Sequence, residues 1–387
     1  MLKRQLKKKQ KKLKNNHMEN YPRLELSHRN ILYNLNHFRS KLKPSVKMLV
    51  LVKANAYGHG ADILGRVCED AGVDYLGVAF ANEGIALRRS GVRLPIMVLT
   101  PGTECFKEIV DYHLEPGLPD IHALRLFDEY IASRGMKDYP CHIKIDSGMH
   151  RVGFMEQDLQ ELVAFLKAGT VLRIESLYSH LATADDPTFD AFTFEQAALF
   201  NKISEQVISV LGYRPMRHLL NSSGIERFAE RCPDMQYDMV RLGIGFYGLQ
   251  VLPDQDIRPI AALRTKICQI KHLSDGTVGY SRRGVIRRQS MIATIPLGYA
   301  DGLNRHLGCG RARFMLRGQL VPTIGNICMD ACMLDVTGVD AREGDIVTIF
   351  GLQPRAEDLA DILDTIPYEI ITSVSQRVNR VLVDDFD

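Results

Sequence analysis

The sequence predicts an N-terminal (β/α)8 barrel followed by a mostly-β C-terminal domain. From residue 47 to about residue 245, short apolar strand candidates alternate with helical patterns, and eight such strands are the number that closes a TIM-type barrel. After residue 255, glycine turns and β-branched runs replace this alternation, which indicates short β strands interrupted by one helix around residues 356–364. A chain of 387 residues is long enough to form both domains.

Each barrel strand is predicted from an apolar run that is flanked by turn residues or by a helical pattern. The strand candidates are residues 47–53, 75–80, 95–100, 114–118, 141–146, 173–181, 218–223 and 238–244. The helix candidates include residues 61–72, 82–90, 120–135, 156–168 and 192–212. The last helix candidate carries an apolar stripe at nearly helical spacing, formed by Phe192, Ala197, Phe200, Ile203, Val207 and Val210.

An open doubly wound sheet is the main alternative to the barrel. Such a sheet usually carries a Gly-x-Gly-x-x-Gly turn between its first strand and its first helix. Here the pattern occurs at residues 243–248, after the last strand of the alternating region and with no helix pattern behind it. The barrel is therefore the better prediction.

The linker Leu252-Pro253-Asp254-Gln255-Asp256 is the predicted domain boundary, so residues 18–255 form the barrel domain and residues 256–387 the C-terminal β domain. A strand near residues 22–27 precedes the barrel and is a candidate to pack on the C-terminal domain. Residues 1–17 carry eight positive charges and no acid, which predicts a solvated, disordered tail, with Met18 as a candidate start. A tether for nucleic acid or an acidic membrane is the alternative interpretation of this tail.

The bulk composition excludes several classes of protein. Without the tail, the net charge of +3 becomes about −5, which argues against a nucleic-acid-binding body. The tail lacks the apolar segment of a signal peptide, and no apolar run approaches the roughly 20 residues that span a bilayer. The eight cysteines include no Cys-x-x-Cys pair and indicate reduced thiols. We therefore expect a cytoplasmic protein with no metal site that binds neither nucleic acid nor membrane.

Lys53 stands where the first barrel strand ends, in the segment Leu-Val-Lys-Ala-Asn-Ala-Tyr-Gly-His-Gly of residues 51–60. The glycines that follow predict a tight turn with room for a ligand. A lysine in this position suits an amine that must reach a carbonyl, such as that of pyridoxal phosphate (PLP). A solvated lysine just past a core strand is the structural alternative.

Further polar residues fall at the carboxyl ends of the predicted strands, where barrel enzymes gather their chemistry. They are Lys53, Tyr57, Lys144, Asp146, Arg151, His180, Asn221, Ser222, Ser223, Gly224, Arg241, Gly243 and Ile244. The groups after strands seven and eight suit a phosphate site. Each residue alone has an ordinary explanation, because Asn-Ser-Ser-Gly is also a helix cap and His180 also fits a buried core histidine. Together they predict an active site.

Five segments of the chain resemble the alanine racemase family, and the resemblance runs from about residue 22 to residue 383. They are Val52-Lys53-Ala54-Asn55-Ala56-Tyr57-Gly58-His59-Gly60, Lys144-Ile145-Asp146-Ser147-Gly148-Met149-His150-Arg151-Val152-Gly153, Arg241-Leu242-Gly243-Ile244-Gly245-Phe246-Tyr247-Gly248, Gly298-Tyr299-Ala300-Asp301-Gly302 and Ile327-Cys328-Met329-Asp330. The resemblance implies a PLP-dependent homodimer with a barrel and a C-terminal β domain, interconverting L- and D-alanine and supplying D-alanine for peptidoglycan.

Two catalytic bases are implied by the resemblance, because racemisation removes a proton from one face of the substrate and returns one to the other. Lys53 matches the lysine that forms the Schiff base with PLP and also acts as one base. Tyr280 matches the opposing base, which the family supplies from the partner subunit. A tyrosine has an ordinary pKa of about 10, so a nearby cation must favour its phenolate. His180 and Arg241 are the candidates.

The same resemblance assigns the remaining site residues. Arg241 matches an arginine that faces the pyridine nitrogen of PLP, to which it can only donate. The positions that match cofactor contacts are Lys53, Tyr57, His180, Asn221, Ser222, Arg241, Gly243, Ile244 and Tyr368. Arg151, Met329 and Asp330 match the substrate site, with Arg151 and the Met329 amide holding the carboxylate. Lys144 matches a lysine that is carbamylated in many relatives, and an unmodified lysine is the alternative.

Two residues depart from the family pattern. Leu242 replaces a proline after the pyridine-facing arginine, and Asn326 stands where an arginine of the substrate corridor is common. The second departure bears on access and side-chain selectivity, so a racemase for another amino acid such as serine is an alternative. A decarboxylase of this fold type and a non-catalytic PLP-binding protein of the barrel superfamily are others. The alanine racemase residues at Tyr280, Arg241 and Met329 argue against the decarboxylase. The β domain and Tyr280 argue against the non-catalytic PLP-binding protein.

Overall fold

A computed structural model describes residues 21–250, 252 and 255–386 of the chain. The basic tail of residues 1–17, Met18 and part of the predicted linker lie outside the described residues. The chain divides into two compact units. The barrel unit is Arg29–Ile260, and the β unit joins the residues up to His28 with those from Ala261 onward.

The barrel unit is a closed barrel of eight parallel strands, as the sequence predicts. The strands are β2 (Lys47–Leu51), β3 (Tyr75–Val78), β4 (Ile96–Val98), β5 (Glu115–Leu118), β6 (Tyr139–Lys144), β7 (Leu172–Tyr178), β8 (Met216–His218) and β9 (Met239–Leu242). The last strand pairs with the first, with Leu49 opposite Arg241, and this pairing closes the barrel. The prediction of a (β/α)8 barrel is therefore confirmed.

The helices of the barrel unit surround these strands in chain order. They are His28–Ser40, Ala61–Asp70, Ala81–Arg89, Phe106–Asp111, Ile121–Ser133, Leu159–Ala168, Asp190–Leu211 and Ser222–Phe228. In the long helix Asp190–Leu211, Ala197, Phe200, Ile203 and Val207 of the predicted stripe are buried. The helix ends at Gly212, whose φ of 70° is a left-handed conformation that glycine adopts without a Cβ clash.

Seven of the eight barrel strands end earlier in the structure than predicted, and the difference is largest for β7 and β8. β7 ends at Tyr178, so His180 lies in the following loop and not at the end of the strand. β8 ends at His218, whereas the prediction extended it to residue 223. The reason is local: Asn221 caps the helix Ser222–Phe228 by accepting a hydrogen bond from the Gly224 amide at 2.9 Å, and this cap ends the extended chain.

The described residues of the β unit form three sheets and two α-helices, which confirms a mostly-β C-terminal domain. Its strands are β1 (Arg23–Ser27), β10 (Ala261–Lys266), β11 (Gln269–Leu273), β12 (Gly276–Val278), β13 (Gly284–Ile286), β14 (Ser290–Ile295), β15 (Arg313–Leu316), β16 (Gln319–Pro322), β17 (Cys332–Asp335), β18 (Ile346–Phe350) and β19 (Asn379–Val383). The sheets run β16-β15-β18-β10-β1-β19, β11-β14-β17 and β12-β13. The helix Ala356–Leu363 was predicted, but the short helix Pro367–Thr372 was not.

The N-terminal strand β1 lies inside the six-stranded sheet of the β unit. It pairs antiparallel with β10 and parallel with β19, where Arg23 lies opposite Asn379. Its Glu25 is buried and forms an ion pair with Arg264 at 2.8 Å. Within the described part of the chain, no helix combines the length and apolar character needed to cross a membrane.

Candidate active site

The structure places the predicted site residues on both units. Those on the barrel unit, at the carboxyl ends of its strands, are Lys53, Tyr57, Lys144, Arg151, His180, Asn221, Ser222, Arg241, Gly243 and Ile244. Those on the β unit are Tyr280, Met329, Asp330 and Tyr368. Each group is described below on its own unit.

The chain leaves β2 through a left-handed turn directly after Lys53. Four successive non-glycine residues, from Ala54 to Tyr57, have φ between 51° and 53°. This hand costs L-residues roughly 1–2 kcal/mol each, so the surrounding structure must hold it. The sequence predicted a tight turn here, but assigned its unusual conformation to the glycines and not to these four residues.

Hydrogen bonds to side chains stabilise the strained turn. Glu83, at the start of the helix Ala81–Arg89, accepts from the Ala54 amide at 2.6 Å and, through its other oxygen, from Ala79 at 2.7 Å. Asn55 accepts from the Ala61 amide at 2.9 Å. The turn therefore fixes the backbone that carries Lys53, a half-buried side chain.

The electrostatic surroundings favour a neutral Lys53 amine. Burial lowers the pKa of Lys53, and the positive charge of Arg151 lowers it further, while Glu83 opposes both. A neutral amine is the form that attacks a carbonyl. Lys53 is thus suited to covalent attachment of an aldehyde cofactor.

Tyr57, Ser222 and Gly243 converge around a small space, which we call the cradle and which is the candidate phosphate site. The Ser222 hydroxyl accepts hydrogen bonds from the amides of Gly243 at 2.9 Å and Gly245 at 3.2 Å. Both lone pairs are then in use, so this hydroxyl can only donate to a further partner, which suits a phosphate oxygen. A Cβ on Gly243 would lie 3.4 Å from the Tyr57 hydroxyl and 3.7 Å from the Ser222 hydroxyl, so the absence of a side chain there keeps the space between them open.

Two predicted phosphate or cofactor contacts, Gly243 and Asn221, have other partners in this structure, and a third, Ile244, is buried. The Gly243 amide donates to Ser222. Asn221 uses its oxygen as the helix cap and its nitrogen on the Leu181 carbonyl at 3.4 Å, which is the structural alternative that the sequence left open. Ile244 is buried at the start of the 3-10 helix Ile244–Tyr247. Ser222 and Tyr57 are therefore the side chains of the cradle.

Arg241 is a buried cation whose guanidinium is held on one side by the barrel. Its Nη1 donates to His218 Nδ1 at 2.9 Å, and its Nη2 donates to the carbonyls of Leu219, at 3.0 Å, and Ser179. Burial lowers its pKa to about 10, so it stays protonated at neutral pH. Among the described residues its Nε–H has no hydrogen-bond partner, which fits a ligand acceptor such as the pyridine nitrogen of PLP.

His180 lies beside Arg241 but is less suited to the predicted electrostatic role. Arg241 Nη2 lies 3.3 Å from His180 Nδ1, and since arginine only donates, this nitrogen accepts. Burial and the adjacent Arg241 charge hold the pKa of His180 well below its ordinary value. Both observations favour a neutral imidazole, so Arg241 is the better of the two predicted cations.

Lys144, at the end of β6, is buried in an apolar and cationic environment. Its Nζ donates to the Ile145 carbonyl at 2.7 Å and lies 5.4 Å from the centre of the Tyr178 ring. Burial, with the charge of Arg241, lowers its pKa to about 7. A large fraction of this amine is therefore neutral at physiological pH.

The loop after β6 presents Arg151 on the exposed surface of the barrel unit. Asp146 shapes this loop by accepting from the amides of Gly148 and His150, both at 3.0 Å. The chain then returns to β6, where the Phe154 amide donates to the Lys144 carbonyl at 2.8 Å. Arg151 joins Lys53, Lys144 and Arg241 in a set of basic residues that suits an anionic ligand.

On the β unit, Tyr280 projects from a turn between β12 and β13 and is 71% exposed. Its backbone is fixed by Asn326, whose Nδ2 donates to the Tyr280 carbonyl at 3.0 Å. Ser281 and Arg282, which follow, have φ of 57° and 53°. Asn326, noted in the sequence as a departure in the corridor, thus contacts the segment that carries the predicted second base.

The other predicted residues of the β unit lie in two segments. Met329 is 53% exposed, and its carbonyl accepts from the Ala300 amide at 3.0 Å. Asp330 forms an ion pair with Arg377 at 2.8 Å, so its carboxylate has a protein partner. Tyr368 is half-exposed on the helix Pro367–Thr372.

The described residues were also compared with the requirements of a metal site. Over residues 21–250, 252 and 255–386, no group of three His, Cys, Asp or Glu side chains could hold a metal ion. The eight cysteines are all unpaired. The donor groups that converge are instead a lysine, two hydroxyls and a buried arginine, which fit PLP.

Comparisons with known proteins match both units. The family model described as "Alanine racemase, N-terminal domain" matches residues 26–251, and "Alanine racemase, C-terminal domain" matches residues 260–382. The alanine racemase of Clostridium kluyveri is 35% identical over 372 residues, which are 93% of this chain and 93% of that protein.

Solved structures show the same similarity. The alanine racemase of Clostridium difficile superposes with a TM-score of 0.87 at 33% identity, covering 94% of this chain and 96% of that chain. The alanine racemase of Bartonella henselae, whose structure is described with covalently bound pyridoxal phosphate, has a TM-score of 0.82 at 26% identity. It covers 93% of this chain and 99% of that chain.

Proposed function

Since the chain belongs to the alanine racemase family, we propose that it interconverts L- and D-alanine with PLP and two protein bases. The observation that carries the proposal is the match of both family domains, with 35% identity to a curated alanine racemase over 93% of the chain. The barrel unit adds the donor set described above. A non-catalytic PLP-binding barrel would not require the second domain that matches here.

The residues of the barrel unit would hold PLP. Lys53 would attach it covalently, Ser222 and Tyr57 would donate to its phosphate, and Arg241 would donate its Nε–H to the pyridine nitrogen. When bound, PLP withdraws electrons from the amino-acid substrate and so acidifies its Cα hydrogen. Arg241 keeps its proton because its pKa of about 10 lies above neutral pH. It therefore supplies a hydrogen bond to the ring without protonating it, which favours simple return of the substrate proton.

Two bases of different chemical type move the proton. The Lys53 Nζ, whose pKa burial lowers, takes or returns a proton on one face of the substrate. The Tyr280 hydroxyl serves the other face, and its exposure on the β unit is compatible with service in the active site of a partner subunit. We assign the active form as a homodimer, as the resemblance to the family implies. Of the two predicted cations, Arg241 is the one that we assign to the site.

Basic groups hold the substrate carboxylate. Arg151 and the Met329 amide are assigned to it, while Asp330 supports the Met329 segment through Arg377. Lys144 is assigned as a carbamate, because its pKa of about 7 leaves a neutral amine that combines with carbon dioxide. The resulting anion would be stabilised by Arg151 and Arg241 and would orient Arg151. The physiological role is cytoplasmic supply of D-alanine for peptidoglycan.

Absorbance and racemisation assays test the proposal. The purified protein should be yellow and should lose this colour in Lys53→Ala, whereas Lys167→Ala, a change on an exposed helix position, should keep it. Tyr280→Phe should retain the colour but lose racemisation of L-alanine by roughly 100-fold or more. Equal rates for Tyr280→Phe and wild type would contradict the two-base mechanism. A panel of amino acids that includes serine tests the substrate, and a higher kcat/KM for serine would overturn the assignment of alanine.

A further inference from the structure

A continuous hydrogen-bonded chain crosses the interior of the barrel and ends at Arg241. His218 Nδ1 lies 2.9 Å from Arg241 Nη1, and His218 Nε2 lies 2.8 Å from the Ser176 hydroxyl. Ser176 in turn lies 2.7 Å from His142 Nδ1, and His142 Nε2 lies 3.0 Å from a carboxylate oxygen of Glu115. The five residues come from five successive strands, β5 to β9. We call them the barrel relay.

The barrel relay joins the two ends of the barrel. Glu115 is the first residue of β5, at the amino end of the strands, and its side chain is 13% exposed. His142, Ser176 and His218 are fully buried, and Arg241 lies near the carboxyl end of β9. Neither the proposed racemisation nor the phosphate cradle uses the three central residues. Buried polar groups in such number need a reason beyond packing.

The direction of every hydrogen in the barrel relay follows from its two ends. Arg241 can only donate, so His218 Nδ1 accepts, and neutral His218 carries its hydrogen on Nε2. Burial and the charge of Arg241 hold the pKa of His218 well below its ordinary value, which agrees with the neutral form.

The remaining links follow in order. His218 Nε2–H donates to the Ser176 hydroxyl, whose single hydrogen is then left for His142 Nδ1. His142 therefore carries its hydrogen on Nε2 and donates to the Glu115 carboxylate, which only accepts when ionised. All four bonds point from the cation towards the anion, and bonds aligned in this way polarise one another.

We propose that the barrel relay positions Arg241, with Glu115 as its remote counter-charge and Ser176 as the link that joins the two imidazoles. Without Ser176, the His218 Nε2–H has no acceptor in the relay, so the imidazole is no longer held with its Nδ1 towards the Arg241 Nη1–H. The guanidinium would then lose one of the contacts that aim its Nε–H. His142, Ser176, His218 and Glu115 are therefore positioning residues for Arg241, a role that rests on the proposed function of Arg241 towards PLP.

Nuclear magnetic resonance of the full chain with 15N-labelled histidine tests the barrel relay without any turnover. We expect two slowly exchanging imidazole N–H signals that belong to Nε2 of His142 and His218, each with an unprotonated Nδ1. Ser176→Ala removes the acceptor of the His218 Nε2–H and the donor to His142 Nδ1. It should therefore abolish the slow exchange of the His218 signal and shift the His142 signal. Signals from Nδ1–H in the wild type, or signals unchanged by Ser176→Ala, would overturn the proposal.

Two further variants control for loss of packing. Ser204→Ala removes a hydroxyl that is equally buried but has no hydrogen-bond partner among the described residues, and should leave both signals unchanged. Glu115→Gln keeps an acceptor for His142 but removes the charge, and should shift the His142 signal with the tautomers retained. If Ser176→Ala does not fold, Glu115→Gln still decides, because a His142 signal that is unaffected by the loss of charge would contradict the polarised chain.

Titration with PLP links the barrel relay to the cofactor. In the wild type, PLP should shift the His218 signal, and Ser176→Ala should weaken PLP binding roughly two- to tenfold, the range of one net hydrogen bond. A relay with the expected tautomers but no response to PLP would overturn its role towards the cofactor. The racemisation assay tests the proposed function separately. Wild-type protein that shows the expected relay signals but no racemisation would refute only the proposed function.

Discussion

Lys144→Met is predicted to remove a pH-dependent loss of stability from the barrel unit. Lys144 is buried, with one hydrogen bond to the Ile145 carbonyl, and its pKa falls from 10.5 to about 7. Methionine keeps an unbranched apolar side chain of similar length and has no charge to lose. The comparison of the two proteins therefore isolates the protonation of the Lys144 amine.

The size of the effect follows from the two pKa values. Between about 7 and 10.5 the unfolded chain binds this proton more than the folded chain, so the free energy of unfolding rises with pH in that window. From about pH 7 to about pH 9, the wild type should gain about 2 kcal/mol relative to Lys144→Met. This is a large share of the 5–15 kcal/mol that is typical for the stability of a domain.

Urea denaturation at the two pH values, in buffer free of carbon dioxide, measures this gain. Lys167→Met, at an exposed position of the helix Leu159–Ala168, is the matched control and should follow the wild type. A difference between wild type and Lys144→Met that stays constant with pH would refute the burial argument. Added bicarbonate should flatten the wild-type dependence if the amine becomes a carbamate, and mass spectrometry reports the added carbon dioxide.

Three further changes have expected outcomes. Gly243→Ala places a Cβ 3.4 Å from the Tyr57 hydroxyl and should raise the Kd for PLP about tenfold or more. An unchanged Kd in an absorbance titration would contradict the assignment of the cradle to the phosphate of PLP. Asn326→Ala removes the 3.0 Å bond to the Tyr280 carbonyl and should lower kcat for alanine about two- to threefold with the Kd for PLP unchanged. An unchanged kcat would show that Tyr280 is placed without Asn326. Glu83→Ala leaves the Ala54 and Ala79 amides without their acceptor and should lower the free energy of unfolding by about 2 kcal/mol. Glu83→Gln should lower it less, and equal losses in a urea titration would refute the role of the Glu83 charge.

The barrel could be predicted from the sequence because its signals are local. Strands such as β2 and β4 are apolar runs, and the stripe of the helix Asp190–Leu211 places Phe200 and Ile203 inside. The errors were also local. The cap at Asn221 ended β8 early, and the helix Pro367–Thr372 is too short to show a period.

The interior of the barrel could not be predicted, because its polar contacts join residues far apart in the chain. His142, Ser176 and His218 lie on three different strands, and nothing in any single strand pairs them. The available signal for these contacts was that three successive strands each carry a polar residue that faces the barrel interior. The left-handed conformation after Lys53 was missed for a related reason, since Glu83, which holds it, lies in the next helix but one.

The position of β1 between β10 and β19 has a consequence for how the protein is made. During synthesis β1 emerges before the other described strands, yet its neighbour β19 emerges after all of them, with Arg23 opposite Asn379. The barrel strands form one continuous stretch and can fold while the rest of the chain is still being added. The sheet that holds β1 must instead wait for nearly the whole chain, since contacts of such long sequence separation form slowly. Until then β1 is a strand with two unsatisfied edges, a natural target for chaperones and for mispairing with other copies.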